Sequence, residues 1–188
     1  EVKILKEAGY VEAIQGIGLS RGITDFTRLE QVAKKFAFQQ RGHNKFLESI
    51  AVWIKMKAPR YFWQEFDTYR IGMTKQSSST IYSMTLREML PEDCTKETPR
   101  GSIEVFNEEL DRYKRCTSES IKHTLFKTLK SALPEGFEQY RFLRTNYKTL
   151  QNIVAQRTGH KLDEWRVFIE VLRSGLEHPN FIFRENEK

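Results

Sequence analysis

The sequence predicts an α+β fold, with a mixed or antiparallel sheet flanked by helices. Three observations support this: short stretches alternate apolar and polar residues, longer stretches carry apolar stripes at helical spacing, and the two kinds of stretch do not alternate regularly along the chain. A regular alternation would favour a doubly wound parallel sheet instead. The chain has 188 residues, of which 39% are hydrophobic, so we expect one well-buried core and a single domain over residues 1–188.

The elements of the first half are predicted from apolar spacing and from the residues that end each stretch. A charge separates Val2 from Ile4, which is typical of a short edge strand, and Thr24 or Asp25 can cap a helix. Pro59 ends a strand, because proline cannot donate to a sheet ladder. We predict a strand at the start, helices over 10–19, 26–37 and 43–49, a strand over 50–56, a helix over 60–69 and a loop over 72–80.

The second half follows the same rules. Leu133 and Pro134 end a helix, because the residue before a proline is driven away from helical conformation. Tyr140 and Phe142 share one face of an alternating stretch, as they would in a strand. We predict a strand over 80–86, a surface loop over 91–101, helices over 102–116 and 118–132, a strand over 136–146, helices over 149–156 and 163–172, and a peripheral tail over 175–188.

Charge and cysteine content restrict the kind of partner. The 31 Lys and Arg residues are spread among 25 acids and give a net charge of +6. This charge fits a solvated mixed-charge surface or a nucleotide-phosphate site, and a nucleic acid as the main partner is less favoured. Cys94 and Cys116 lack the spacing of a zinc or redox site, and the four His residues are far apart, so we expect no metal. No apolar run approaches the roughly 18 residues of a membrane span, so we expect a cytoplasmic protein.

Two polar segments are spaced in a way that no fold requires. A serine cluster at 77–79 follows Arg70, and hydroxyls and cations together can hold phosphate. No Walker or dinucleotide glycine pattern accompanies it, so a phosphate site and an ordinary surface loop both remain open. Lys148, Asn152 and Gln156 are spaced four residues apart on a predicted helix, so this face either binds a nucleotide or is solvated.

In their order along the chain, these segments resemble the flavin-dependent thymidylate synthases. That family's signature is Arg-His-Arg, seven residues and Ser; Thr68, Tyr69, Arg70, seven residues and Ser78 occupy it here, so the third and last residues match. Upstream, His43 follows a glycine as in the family's Gly-His start. Alone, this histidine could be a general base, a ring stacked on a cofactor or a helix cap.

The family's later block is matched more fully. It has an Arg before Leu-Pro, then Asn-x-Arg, an Asn six positions beyond the first and an Arg eleven beyond it. The corresponding residues are Lys130, Asn146, Lys148, Asn152 and Arg157. Both Asn residues and the last Arg are identical, while the two lysines keep the positive charge.

The resemblance implies a homotetramer of α+β domains that binds FAD. It also implies NADPH and methylenetetrahydrofolate as co-substrates for reductive methylation of dUMP, or related C5 modification of another pyrimidine deoxynucleotide. It assigns Ser78 and Arg157 as catalytic, and assigns as cofactor-binding His43, Arg70, Gln76, Asn146, Lys148 and Asn152. The residues that it implies as substrate-binding are Glu65, Ser78, Lys130 and Arg157.

Three departures from the family's signature leave alternatives open. Thr68 and Tyr69 stand where the signature has Arg and His, and Gln76 where it has an acid. Each lost charge-assisted hydrogen bond would remove about 1.5 to 3 kcal/mol of binding. The chain is therefore a divergent enzyme of bacteriophage type acting in the host cytoplasm, a catalytically silent nucleotide-binding homologue, or an unrelated nucleic-acid-binding domain that stacks bases on the aromatic segment 61–69.

Overall fold

A computed structural model describes residues 1–39 and 42–184, and over these residues it has the predicted α+β fold. The strands are β1 (Val2–Ala8), β2 (Ala51–Pro59), β3 (Thr74–Ser77) and β4 (Glu138–Asn146). They form one sheet in the order β1-β2-β4-β3. The α-helices are α1 (Tyr10–Gly18), α2 (Phe26–Phe36), α3 (Arg60–Phe66), α4 (Thr80–Ser83), α5 (Arg100–Arg115), α6 (Glu119–Ser131), α7 (Tyr147–Arg157) and α8 (Asp163–Gly175), and 3-10 helices cover Leu19–Arg21, His43–Ser49, Pro91–Asp93 and Pro179–Phe181.

The chain divides into two compact units. The first comprises Glu1–Met56, Thr68–Gln76 and Phe142–Lys188, and the second comprises Lys57–Asp67 and Ser77–Arg141. Strands β2 and β4 each contribute residues to both. The prediction of a single domain over residues 1–188 stays a prediction.

The first unit holds the antiparallel pair of β1 and β2. Val2 lies opposite Met56 and Ala8 opposite Ala51, with an irregularity after Ile4. Alternate side chains of β2 are buried, as expected of a strand with one face on a core. Helix α2 begins after Asp25, whose Oδ1 accepts a hydrogen bond from the third helical N–H, so the predicted cap is confirmed.

Helix α7 is fixed at its start by two contacts within the first unit. The N–H of Tyr147 donates to the carbonyl of Ile50 at 3.1 Å, and its hydroxyl donates to Glu7. Tyr147 is fully buried, as are Leu150 and Ile153 on the same helix. These anchors hold α7 rigidly, so the polar residues along its other face are carried on a fixed scaffold.

The tail after Gly175 is not peripheral, and this expectation was wrong for the residues up to 183. Leu176 is 6% exposed, and Phe181, Ile182 and Phe183 are at most 4% exposed. Burial of three consecutive large apolar side chains stabilises this segment on the core, whereas a solvated tail would gain no such stabilisation. Residues 185–188, the end of the predicted tail, lie outside the described part of the chain.

The second unit has its own core, built around α5 and α6. Its buried side chains are Met84, Met89, Cys94, Ile103, Phe106, Leu110, Leu129 and Leu133. Helix α3 begins after Pro59 without a side-chain cap. Its first N–H groups, on Arg60 and Tyr61, donate instead to the carbonyls of Phe137 and Glu135 at 3.1 and 3.3 Å, which satisfies donors that a helix start leaves open.

Two predicted elements differ from the structure. Part of the predicted loop 72–80 is the strand β3, because backbone pairing within a sheet does not require apolar residues. The predicted strand 80–86 is instead the short helix α4, in which the N–H of Met84 donates to the carbonyl of Thr80 at 3.1 Å. Ile81 and Tyr82 of this helix are 54% and 79% exposed. In the part of the chain that the structure describes, no helix is both long and apolar enough to cross a membrane.

Candidate functional site

Arg70 extends from a tight turn anchored within the first unit. The turn continues into Gly72, whose φ of 69° lies in the left-handed region that favours glycine. A Cβ at Gly72 would lie 2.6 Å from both Asn146 Nδ2 and Thr149 Oγ1, so only glycine allows this approach to α7. Thr149 Oγ1 also donates to the carbonyl of Ile71 at 3.1 Å. The exposed Arg70 side chain therefore leaves from a fixed backbone.

Asn146 supports this turn and caps α7. Its Oδ1 accepts a hydrogen bond from the N–H of Thr149 at 2.9 Å, and the residue is 6% exposed. The helix uses the oxygen of Asn146, and its amide nitrogen faces Gly72, so Asn146 lies against the turn that Thr149 bonds. Its predicted contact with a cofactor stays a prediction.

Arg157 lies against two aromatic rings of the first unit. Its guanidinium carbon is 4.6 Å from the centroid of Trp165 and 5.5 Å from that of Tyr69. Its Nε donates to the Tyr69 hydroxyl at 2.9 Å. Tyr69 is 7% exposed and Trp165 fully buried, so cation–π attraction acts here with little competition from water. The tyrosine that replaces the signature's histidine thus holds Arg157, 88 residues further along the chain.

A hydrogen-bonded chain runs from Tyr69 along α7. The Tyr69 hydroxyl donates to Gln156 Oε1 at 3.0 Å, and Gln156 Nε2 donates to Asn152 Oδ1 at 3.1 Å. Asn152 and Gln156 are both exposed. The structure therefore joins Asn152 and Arg157, two of the predicted site residues, through two intervening side chains.

The other predicted cofactor residues of the first unit lie at its surface. Lys148 Nζ donates to Glu48 Oε1 at 2.5 Å. His43 is exposed, and its ring centroid is 5.1 Å from that of Phe36. Gln76 is exposed on β3. Cofactor binding by these three residues stays a prediction.

Lys130 is part of a cationic cluster in the second unit. Its Nζ donates to Thr80 Oγ1. Burial lowers its pKa, and the nearby charge of Arg60 lowers it further. Arg60 in turn donates to the carbonyl of Leu133 at 2.5 Å and pairs with Glu135 at 3.4 Å. A bound anion would relieve the repulsion between the two cations, so this cluster suits a phosphate.

Ser78 and Glu65 also belong to the second unit. The N–H of Ser78 donates to the carbonyl of Tyr140 at 2.9 Å, and its own carbonyl accepts from Gln139 Nε2 at 3.2 Å. Ser78 is exposed and only two residues from Thr80, so Lys130 bonds to the segment that carries it. Glu65 is half-buried on α3. Substrate binding by either residue stays a prediction.

In Lys130→Arg, the affinity for the nucleotide is expected to fall less at alkaline pH than in the unaltered protein. Phosphate binds the protonated amine best, and the lowered pKa of Lys130 means that this charge is lost as the pH rises through that pKa. The affinity of the unaltered protein for dUMP should therefore fall on the alkaline side, whereas a guanidinium stays charged. Calorimetry between about pH 7 and pH 10 measures both proteins. An equal decline in the two would remove Lys130 from the binding site.

Three residues have roles that the sequence did not indicate. The spacing of Gln156 places it among the polar residues of a helix face, and Trp165 is an apolar residue of α8, but neither pattern indicates a contact with Tyr69 or Arg157. The bond between Glu48 and Lys148 joins residues 100 positions apart, so no local pattern indicates it. Coordinated variation of such pairs among related sequences is the signal that could have identified these contacts.

The aromatic segment 61–69 does not offer the stacking surface that the nucleic-acid hypothesis requires. Phe62, Trp63 and Phe66 are at most 1% exposed, and their ring centroids lie 5.5 to 5.6 Å apart. Trp63 Nε1 donates to the carbonyl of Gln139 at 3.2 Å, which satisfies its polar atom inside the core. Burial of apolar area turned these rings inward, so the expected surface is wrong.

Comparison with known proteins supplies the last observation about the fold. The sequence matches no protein-family model and no curated protein. The structure is similar to two solved structures of the flavin-dependent thymidylate synthase ThyX from Helicobacter pylori, both described with FAD and dUMP. The TM-score is 0.72 for both, with 20% and 19% sequence identity; 98% of this chain is covered, and 98% and 97% of those chains. The protein therefore has the α+β fold of flavin-dependent thymidylate synthase ThyX.

Proposed function

We propose that this chain is a flavin-dependent thymidylate synthase-like enzyme that methylates dUMP, or a closely related pyrimidine deoxynucleotide, at C5. One observation carries the proposal: residues identical to those of the family's motifs occur on the fold of proteins described with FAD and dUMP. These residues are Arg70, Ser78, Asn146, Asn152 and Arg157.

The exposed polar groups of the first unit fit a flavin cofactor. Arg70 and Asn152 are exposed, and Lys148 is half-buried on the helix that carries Asn152. Their N–H groups suit the carbonyl and phosphate oxygens of FAD, which are hydrogen-bond acceptors. When bound, FAD would carry a hydride from NADPH to the one-carbon unit. We therefore propose FAD as the cofactor, with NADPH and methylenetetrahydrofolate as co-substrates.

The protein's own residues bind and orient the reactants in this proposal. The methylene carbon of the folate would form a bond to C5 while its bonds to the folate nitrogens break and release tetrahydrofolate, the C5 hydrogen would leave as a proton, and the hydride would complete the methyl group. No protein nucleophile is needed. Burial raises the pKa of Cys94 to about 11, so its thiol is protonated at neutral pH and a poor nucleophile. Arg157 would bind the phosphate or the uracil edge of the nucleotide through its guanidinium, and Lys130 and Ser78 are the further residues proposed to bind the substrate.

An activity assay tests the proposal directly. The purified protein is incubated with dUMP, FAD, NADPH and methylenetetrahydrofolate, and dTMP is quantified by mass spectrometry. We expect dTMP that depends on all four reagents and is lost in Arg157→Ala. Binding of dUMP and FAD without any dTMP would support the catalytically silent homologue instead, an alternative that the replacement of two signature residues by Thr68 and Tyr69 favours.

Restoring the signature's histidine alone is expected to weaken the site. The side chains around position 69 fit a tyrosine: its hydroxyl accepts from Arg157 and donates to Gln156. Tyr69→His would break at least one of these bonds, at about 1 kcal/mol, whereas Thr68→Arg adds a cation at an exposed position. Fluorescence titration of FAD against both single variants should therefore show tighter binding only in Thr68→Arg. Tighter binding in Tyr69→His would contradict this view of Tyr69.

We propose a homotetramer, the assembly that the resemblance implies. Several large apolar side chains of the described residues lie at the surface, among them Leu19 at 85%, Ile71 at 91% and Leu86 at 75% exposed. Contact between subunits would remove such surfaces from water. Sedimentation velocity at micromolar concentration should show a species of about four chains, and a strict monomer would count against the proposal.

A further inference from the structure

The hydrogen bonds that join Arg157, Tyr69, Gln156 and Asn152 run in one direction. Arginine has N–H donors and no acceptor, so the Tyr69 hydroxyl accepts from Arg157 Nε. That hydroxyl has a single hydrogen, which it donates to Gln156 Oε1. Gln156 therefore turns its Nε2 toward Asn152, and Asn152 must turn its Oδ1 toward Gln156. The orientation of both amides follows from the hydrogen bond that the Tyr69 hydroxyl donates to Gln156.

We infer that Tyr69 and Gln156 are positioning residues that make Asn152 a hydrogen-bond donor toward the ligand, and that the ligand group meeting Asn152 is a carbonyl oxygen of a diketo pyrimidine ring. Oδ1 of the exposed Asn152 accepts from Gln156, so its Nδ2 points away from Gln156. An amide N–H matches a carbonyl oxygen. An amino group, such as N4 of cytosine, would meet it donor to donor.

The inference rests on the proposed function, because two of its reactants contain such a ring. Uracil in dUMP and the pyrimidine portion of the flavin both present two carbonyl oxygens around an N–H. Either ring supplies the acceptor that Asn152 requires.

A tyrosine is well suited to this place in the chain. Its single oxygen accepts from one side chain and donates to another, whereas the two nitrogens of a histidine ring point in different directions. Tyr69 is 7% exposed, and its ring packs edge-on against Trp165 at 6.0 Å and 75°. The hydroxyl is thereby held in one position, where it accepts from Arg157 and donates to Gln156.

Gln156→Glu tests the inference because it reverses the direction of the hydrogen bond between residue 156 and Asn152. A carboxylate has only acceptor oxygens, so it still accepts from Tyr69 but can no longer donate to Asn152. Asn152 must then rotate to donate its Nδ2 to the carboxylate, which turns Oδ1 toward the ligand. Gln31→Glu, at an exposed position on α2, adds the same charge elsewhere and is the matched control.

Titrations with FAD, dUMP and dCMP measure the binding affinities of the unaltered protein, Gln156→Glu and Gln31→Glu. The two nucleotides carry the same phosphate, so their affinity ratio is insensitive to the added charge. We expect Gln156→Glu either to lower the preference for dUMP over dCMP by about tenfold, which identifies the nucleotide as the ligand, or to weaken FAD by about tenfold relative to Gln31→Glu, which identifies the flavin. An unchanged ratio together with unchanged FAD binding would overturn the inference.

A ligand-free measurement separates failure of the inference from failure of the proposed function. In a 15N-labelled protein, the Gln156 side-chain amide protons should show the downfield shift of a hydrogen bond, and this shift should disappear in Asn152→Ala, which removes the acceptor Oδ1. In Gln156→Glu, the Asn152 amide protons should gain such a shift instead. If the unaltered protein binds neither FAD nor dUMP but shows these shifts, the proposed function fails and the donor direction of Asn152 stands. If the chemical shifts of the Asn152 amide protons do not change in Gln156→Glu, the inference is wrong for either ligand.

Discussion

Arg157→Ala should weaken binding of dUMP by about ten- to hundred-fold. The loss of one charge-assisted hydrogen bond to the phosphate or the uracil edge costs about 1.5 to 3 kcal/mol, which corresponds to this range of affinity. The side chain is held in position by Tyr69 and Trp165, so little conformational freedom is lost when a nucleotide binds. Isothermal titration calorimetry with dUMP measures the loss.

Arg166→Ala provides the matched control for this prediction. Arg166 is exposed on α8 and pairs with Asp163 and Glu170 at 3.2 and 3.6 Å, so its removal costs the same charge and only weak surface ion pairs. Its affinity for dUMP should stay within about twofold of the unaltered protein, within the small effect expected of a surface substitution. If Arg157→Ala binds dUMP as tightly as Arg166→Ala does, Arg157 has no part in the site.

Gly72→Ala should lower the free energy of unfolding by about 3 kcal/mol. The left-handed backbone at Gly72 costs an alanine about 1 to 2 kcal/mol, and the new Cβ would lie 2.6 Å from Asn146 Nδ2. Moving Asn146 aside breaks its cap on α7, at about 1 kcal/mol. In a chain of this size the melting temperature should fall by about 6 to 12 °C, which calorimetry measures.

Gly159→Ala separates the two contributions to that loss. Gly159 also has a left-handed backbone, with a φ of 77°, but a Cβ there would meet no atom within 4 Å. This variant should therefore cost only the backbone term, about 1 to 2 kcal/mol. Equal losses in the two variants would mean that the contact between Gly72 and Asn146 contributes nothing to stability.

The helices and the longer strands of the fold could be predicted because they are periodic. The stripe of α2, the alternation of β2 and the Leu-Pro pair after α6 each leave a local signal in the sequence. Strand β3 leaves none, since Thr, Lys, Gln and Ser resemble a loop unless a partner strand is known. The run Phe181 to Phe183 was a signal that Gly175 obscured, because a glycine after a periodic stretch is typical of a helix end.

The sequence predicted the candidate site only where its residues share one helix. The four-residue spacing of Asn152 and Gln156 predicted a common face, and the structure shows a hydrogen bond between them. The bond between Tyr69 and Arg157 spans 88 residues, so no local pattern encodes it. Motif comparison suggested that Tyr69 was a lost group, whereas its contacts make it a support for Arg157.

Titration of the protein with FAD, in the presence and absence of dUMP, tests the central claim most directly. Flavin fluorescence changes when the ring leaves water, so binding is measured without any need for turnover. The exposed donors Arg70 and Asn152 predict saturable binding of FAD that is weakened by Arg70→Ala and unaffected by Arg166→Ala. No change in flavin emission up to about millimolar FAD, with or without dUMP, would correspond to less than about 4 kcal/mol of binding and would contradict the assignment of this chain as a flavin-dependent enzyme.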